Sequence, residues 1–245
     1  MDIESICSEN LNKELAYLLG VYLTDGSITH TTSSFKGSKK LYDSQNFTIK
    51  AIDKEFVEKT LECLKKIKPS CKAKIFEQEP RTRYWSDGRI SKCQKQYCIG
   101  VGITGDAIFF EEQTGNKHHI PHIIWDAPLS IKRWFIAGVM DGDGWISKTE
   151  RKDYPKHWKK GIPNYQYRIG IGKAKYGWIY EFKILLQKMG VETLKTEIDK
   201  RNGRMPMVKV GIKVKSFVEH GLFFTIKRKQ DRLKVYIQER PETRH

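Results

Sequence analysis

WFIAGVMDGDGWI, Trp134 to Ile146, decides how this chain folds, because LAYLLGVYLTDGSI, Leu15 to Ile28, is a second version of it. Aligned on their glycines, the two read IAGVMDGDG (Ile136 to Gly144) and LLGVYLTDG (Leu18 to Gly26). Each is an apolar run that ends on an aspartate and a glycine, at Asp143-Gly144 and Asp25-Gly26. Leu15 to Leu23 is apolar nearly all round, which marks a buried helix rather than a surface one, and Asn12 stands where an N-cap belongs. Gly20 and Gly138 hold equivalent places, with Ala16 and Ala137 nearby. Small residues let helix backbones approach closely, so side-by-side packing would bring the two aspartates together.

Outward from each copy the same order of elements recurs. After Asp25-Gly26 a long β-hairpin is expected, with a basic tip around Lys36 to Lys40 and a return strand in which Phe47 and Ile49 alternate with Thr48 and Lys50. KEFVEKTLECLKKI reads as an amphipathic helix closed by Pro69. A second hairpin runs from CKAKIFEQEP through the turn region WSDGRIS to KQYCIGVGIT, followed by the short helix DAIFFEEQ. Beyond a bridge at 114–129, Ser130 is expected to cap the next helix. A long basic loop then leads to the strand YQYRIGIGK, the helix WIYEFKILLQKMG, the hairpin TLKTEIDKRNGRMPMVKVGIKV, the helix KSFVEHGLFF and a last helix ending at Pro241. VGITGDAIFF (Val101 to Phe110) aligns with VGIKVKSFVE (Val210 to Glu219) without a gap. The expectation is an α+β protein of two α-β-β-α-β-β-α repeats, 1–113 and 130–245, joined by the linker 114–129 and packed through the two motif helices, with a saddle of antiparallel strands.

Charge narrows the function. Lys and Arg number 45 against 29 Asp and Glu, a formal +16, in a chain of 245 residues that is 39% hydrophobic. That is a globular composition whose field favours polyanions. No apolar run approaches the roughly 20 residues of a membrane helix, and MDIESICSEN reads as neither a secretory signal nor a transit peptide. A soluble intracellular protein, in cytoplasm or an organelle matrix, is expected. The five cysteines are odd in number and form no CxxC pair, so neither a disulfide framework nor a zinc ribbon is indicated. His118, His119 and His122 with Cys93 and Cys98 are too irregularly spaced to favour a metal site.

The aspartates carry the chemistry. A helix C-terminus is already partly negative, so two carboxylates meeting there call for a balancing cation, and hard oxygen ligands call for Mg²⁺ or a similar ion. A single Asp-Gly step is often only a turn. Two of them at one point of an internal repeat are not a coincidence of turns. DGDGWISKTE is no calcium loop, since Trp145 and Lys152 would fall at its fifth and twelfth ligand positions.

Polar and basic residues alternate along the strands. Thr48, Lys50, Gln94, Gln96, Gly100 and Thr104 are expected on the outward face of the first half, and Gln166, Arg168, Met207, Lys209, Gly211 and Lys213 on that of the second. The loops add Lys36, Lys39, Lys40, Arg81, Arg83, Arg89, Lys156, Lys159, Lys160, Arg201 and Arg204. Arg, Lys and Gln can read base edges while loop cations bind phosphates, so the expected partner is double-stranded DNA.

With these motifs in view, the chain resembles the single-chain, two-motif LAGLIDADG homing endonucleases over essentially its whole length. IAGVMDGDG is a close match to the motif. LLGVYLTDG is looser, with Leu23 at the first acidic position, but keeps the last aspartate. The resemblance implies that Asp25 and Asp143 bind the divalent metal and are essential to cleavage, with the carbonyls of Thr24 and Gly142 sharing in metal binding. It implies Mg²⁺ as the cofactor, with Ca²⁺ binding but not supporting cleavage, and a monomer, without an obligate protein partner, that cuts both strands of a long intron-homing site. It also implies a basic helper on the last strand of a repeat. Lys213 takes that place, and Thr104 is its counterpart in the gapless alignment, so help is asymmetric and the strands are expected to be cut at unequal rates. Asp53 and Lys173 are candidates for a peripheral polar position. The rival reading is an intron-splicing maturase on the same scaffold. A regulator lacking the acidic pair and an intein are both disfavoured.

Overall fold

The computed structural model describes residues 11–34, 41–84, 88, 90–103, 106–150, 165–174, 177–200 and 205–239. It divides into two compact units, Met1–Gly142 and Asp143–His245.

The first unit opens with α1 (Lys13–Leu23), capped by Asn12, whose side chain accepts a hydrogen bond from the Leu15 N–H at 2.9 Å. The nine residues Leu15 to Leu23 are all buried, as an unbroken apolar run demands. Strands β1 (Gly26–Ser34) and β2 (Leu41–Ala51) form the first hairpin and lead to α2 (Lys54–Ile67). Helix α2 is amphipathic, burying Phe56, Val57, Leu61 and Leu64 under the sheet. The second hairpin of this unit is longer than the sequence reading allowed. Strand β3 (Phe76–Gln78) pairs with β6 (Gln96–Gly102), but β4 (Arg81–Tyr84) and β5 (Ile90–Cys93) form a separate two-stranded ribbon between them. Gln94 falls between β5 and β6 and so is not on the sheet face expected for it. The sheet order is β1-β2-β6-β3. Its core face carries Phe47, Ile49, Ile99 and Val101. Tyr22 of α1, Phe47 of β2 and Phe110 of α3 (Ala107–Thr114) close an aromatic cluster with centroids 5.6–6.4 Å apart.

The bridge holds a helical turn, α4 (His122–Trp125), and the next helix, α5 (Leu129–Gly142), starts two residues earlier than Ser130 would allow as its cap. Pro128 is the reason: its carbonyl accepts from the N–H groups of both Ile131 and Lys132, and its fixed φ suits a helix start. Helix α5 packs directly on α1. A Cβ added to Gly20 would lie 2.8 Å from the Val139 nitrogen, and one on Gly138 3.1 Å from the Tyr17 carbonyl carbon. Only glycine fits at both places. Across the same interface the Tyr17 hydroxyl donates to the buried Asp141 carboxylate at 3.0 Å.

The second unit repeats the plan. Strands β7 (Gly144–Glu150), β8 (Tyr165–Lys173), β9 (Glu197–Asp199) and β10 (Met207–Ile212) form a sheet ordered β7-β8-β10-β9, with α6 (Ile179–Lys188), α7 (Val214–Glu219) and α8 (Lys227–Glu239). Ile146, Ile169, Ile171, Val208, Val210 and Ile212 make its core face, against Phe182, Leu186, Phe217 and Leu233. Helix α7 is shorter than KSFVEHGLFF suggested. Gly221 takes φ 65 and the Leu222 N–H returns to the Phe217 carbonyl, a left-handed stop that ejects Leu222 to Phe224 from the helix. No helix among the described residues is long and apolar enough to cross a membrane.

Candidate metal centre and nucleic-acid interface

The motif helices run out at the two aspartates. In the first unit the ends of α1 and α5 touch: a Cβ on Gly142 would fall within 2.6 Å of Thr24 Cβ. Thr24 is buried, and its hydroxyl donates back to the carbonyls of Gly20 at 3.2 Å and Val21 at 3.1 Å. Asp25, the next residue, is exposed. Asp143 follows Gly142 by one peptide bond, and its side chain is 22% exposed. Neither α1 nor α5 has a basic residue in its last turn, so neither negative helix end is offset by a cation of its own last turn. In the second unit Lys173, at the end of β8, places its ammonium 2.5 Å from Asp143 Oδ2.

With no cluster of three or more His, Cys, Asp or Glu among the described residues, each aspartate by itself suits a hard ion that takes a carboxylate and completes its shell with water and substrate phosphate. Neither suits zinc. Thr24 and Gly142 could add their backbone carbonyls to such a set.

Beside each aspartate lies the outward face of its sheet. In the first unit the cross-strand rows are Ser27–Thr48–Gly100, Thr29–Asn46–Gly102 and Lys50–Cys98–Phe76. In the second they are Trp145–Gly170–Gly211, Ser147–Arg168, Thr149–Gln166 and Gly172–Lys209–Glu197. Thr48 and Gln96 are half-buried and Lys50 is exposed; Gln166 is half-buried and Arg168 exposed. Lys209 pairs with Asp199 at 2.8 Å. Arg81 is exposed on the β4–β5 ribbon, where Arg83 also lies by its backbone. Lys36, Lys39, Lys40, Arg89, Thr104, Lys156, Lys159, Lys160, Arg201 and Arg204 lie outside the described residues. The second unit also has a cleft of about 470 Å³ bordered by Trp145, Gln166, Arg168, Lys209 and Lys213. Sequence reasoning missed Trp145 and Phe76 because it looked for charged and amide side chains. Trp145 lies across Gly170, within 2.7 Å of where a Cβ would be, and Phe76 is 61% exposed on the same face as Lys50. The signal available was register: each alternates in phase with the polar residues of its strand.

No protein-family model matches the sequence, and no curated protein matches it. Solved structures do. The chain is similar to meganuclease I-SmaMI, solved bound to uncleaveable DNA, at 13% identity over 96% of this chain and 94% of that one, with a TM-score of 0.50. It is similar to the LAGLIDADG homing endonuclease I-GzeII, solved with its DNA target, at 14% identity over 95% and 92%, TM-score 0.51. For the LAGLIDADG meganuclease I-CpaMI, bound to uncleaved DNA, the figures are 12%, 95%, 92% and 0.50. This chain has the LAGLIDADG homing-endonuclease fold.

Within that LAGLIDADG fold, strand register fixes which residues are equivalent. Gly26 pairs with Ile49, which pairs with Ile99; Gly144 pairs with Ile171, which pairs with Val210. Lys173, two residues beyond Ile171, is therefore matched by Ala51 and not by Asp53, which stands at the N-cap of α2. Lys213, three beyond Val210, is matched by Gly102 and not by Thr104. The gapless alignment of VGITGDAIFF with VGIKVKSFVE is thus displaced by two residues. Lys213 itself caps α7 and forms an ion pair with Glu192, whose carboxyl it holds below the usual range. Among the described residues the cation in ion-pair contact with Asp143 is Lys173.

Proposed function

We propose that the chain is a site-specific double-strand DNA endonuclease dependent on a divalent metal. The observation that carries the reading is the close approach of Thr24 and Gly142 at the ends of α1 and α5, each one residue before an aspartate that opens an edge strand of a polar, partly basic sheet face. The two repeats, 1–113 and 130–245, would each serve one half of a long duplex site.

In this reading Asp25 and Asp143 hold Mg²⁺, with the Thr24 and Gly142 carbonyls as further donors. Bound there, the ion supplies Lewis acidity to the scissile phosphate and lowers the pKa of an attacking water. The rest falls to the chain. Lys173 restrains the Asp143 carboxylate and adds a positive charge where negative charge develops on the phosphate. Lys213 reaches the phosphate only by leaving Glu192. The first repeat has Ala51 and Gly102 at the two places, so its strand lacks this help and is cut at a different rate. Arg168, Gln166, Lys209, Thr48, Lys50 and Gln96 face the bases from the two sheets, and the loop cations bind phosphates. The protein acts as a monomer in an intracellular compartment and promotes intron homing.

The test is selection from a randomised duplex library with Mg²⁺, followed by cleavage and Ca²⁺-supported binding assays of Asp25→Asn and Asp143→Asn. Each variant should lose cleavage by at least about a thousandfold and keep binding within a few-fold. Wild-type cleavage by either variant refutes the reading. Stimulated intron splicing without DNA cleavage by the native chain would favour a maturase instead.

A further inference from the structure

The row of side chains two residues past each aspartate is built differently in the two repeats. By register, Trp145–Gly170–Gly211 in the second unit is the equivalent of Ser27–Thr48–Gly100 in the first. Both rows lie on the outward face, since Ile146, Ile169, Ile171 and Val210 beside the one, and Ile49 and Ile99 beside the other, are in the core. In the first unit the Ser27 and Thr48 hydroxyls hydrogen-bond to each other at 2.7 Å. Gly100 there is exposed, and the nearest atom to a Cβ built on it is Thr48 Cγ2 at 3.8 Å. In the second unit both glycines are roofed. A Cβ on Gly170 would fall 2.7 Å from Trp145 Cζ2, and one on Gly211 2.9 Å from Leu194 Cδ1. The Leu194 N–H donates to the Gly211 carbonyl at 2.8 Å, which holds that side chain in place.

Glycine weakens a strand interior and often marks a place where a ligand comes close. Packing alone accounts for an indole laid over a glycine, because it restores the contacts the missing side chain would make. It does not account for Leu194, which is 46% exposed on a face otherwise carrying Ser147, Arg168 and Lys209. Trp145, Gly211 and Leu194 border the same cleft of about 470 Å³. The result is a low apolar floor between polar neighbours. Two cations of this unit are already matched, Lys209 by Asp199 at 2.8 Å and Lys213 by Glu192. In the major groove the apolar group on a base edge is the thymine C5-methyl; the others are donors and acceptors, and burying those against an apolar floor costs their hydrogen bonds to water.

We propose that the Trp145–Gly170–Gly211–Leu194 row is a specificity determinant that receives the C5-methyl of thymine in the half-site engaged by the second unit. The equivalent Ser27–Thr48–Gly100 row, with two hydroxyls over an open glycine, meets hydrogen-bonding edges instead. The two halves of the target are therefore read by different chemistry at the same step from each aspartate. This rests on the reading of the chain as a DNA endonuclease and narrows its substrate.

The experiment uses the full chain and the duplex selected with it. Each thymine is replaced singly by deoxyuridine, which pairs alike with adenine but lacks the methyl, and Ca²⁺-supported binding is measured for the native chain, Trp145→Ser and Leu194→Ser. In one half-site at least one replacement should weaken native binding about three- to four-fold, the worth of one methyl leaving apolar contact. The same replacement should change binding by either variant less than about 1.5-fold. A selected duplex in which no replacement costs the native chain two-fold overturns the proposal, as does a loss that persists undiminished in both variants. If Trp145→Ser does not fold, Leu194→Ser, at an exposed site, decides. A native chain that selects and cuts no duplex sinks the endonuclease reading and this proposal with it; one that cuts its duplex but ignores the methyls sinks this proposal alone.

Discussion

Substituting Gly138→Ala sets two physical effects against each other, and the sign of the result separates them. In the interior of α5, alanine is favoured over glycine by about 1 kcal/mol through helix propensity. Packing opposes it. The new Cβ would lie 3.1 Å from the Tyr17 carbonyl carbon and 3.2 Å from the Val21 nitrogen, and nearer still to the Tyr17 carbonyl oxygen. All three are backbone atoms of α1, so no rotamer change relieves the overlap, and the helices must part by roughly 1 Å to restore ordinary contact near 3.5–4 Å. A gap of that size forfeits about a quarter to a half of each dispersion contact across the interface. Overpacking of a rigid core costs about 1–3 kcal/mol and sometimes more. Here the clash is with backbone and the surrounding residues Phe135 to Met140 are fully buried, which sets the gross cost near 4 kcal/mol and the net near 3 kcal/mol. For a chain of this size that lowers Tm by about 6–12 °C. Urea denaturation and calorimetry of Gly138→Ala, Gly20→Ala and the double variant measure it. One separation relieves both overlaps, so the double variant should lose less than the sum of the singles. If Gly138→Ala is as stable as the native chain or more so, close helix packing is not what glycine provides here.

Two further outcomes follow from groups buried in the first unit. Tyr17→Phe removes a hydrogen bond to the buried Asp141 carboxylate and should cost about 2 kcal/mol; an unshifted urea midpoint would show that the bond contributes nothing net. Burial, with a smaller contribution from the Glu111 charge, pushes the Tyr22 phenol up from 10.0 to about 12. The folded chain then keeps a proton that the unfolded chain releases, so this group leaves stability level below about pH 10 and lowers it as pH rises towards 12, by on the order of 2 kcal/mol. Tyr22→Phe should flatten that decline in an alkaline denaturation series, and an equally steep decline in the variant would refute the assignment.

The motif helices were legible because their signals are local: an unbroken apolar run, a glycine at one place in each, and Asn12 in front of the first. The recurring order of strands and helices was legible for the same reason. Register between strands was not. VGITGDAIFF and VGIKVKSFVE both alternate apolar with small or polar residues, and a shift of two residues returns every side chain to the same face. Nothing in either string penalises that slip, so Thr104 looked as good a partner for Lys213 as Gly102. Only the pairing of Ile49 with Ile99, and of Ile171 with Val210, removes the ambiguity. Nor could sequence connect Lys117 with Gly26 or Lys229 with Gly144, because these contacts join residues 91 and 85 positions apart through an ammonium and a carbonyl, and any lysine offers the one and any residue the other.

The corrected register also sharpens the asymmetry between the repeats. The second carries Lys173 and Lys213 where the first carries Ala51 and Gly102, so the second repeat has both candidate helpers and the first has neither. Lys173 contacts Asp143, so Lys173→Met should slow the strand cut at the second repeat by at least about ten-fold and leave the other within two-fold; equal slowing of both strands, or of neither, refutes the asymmetry.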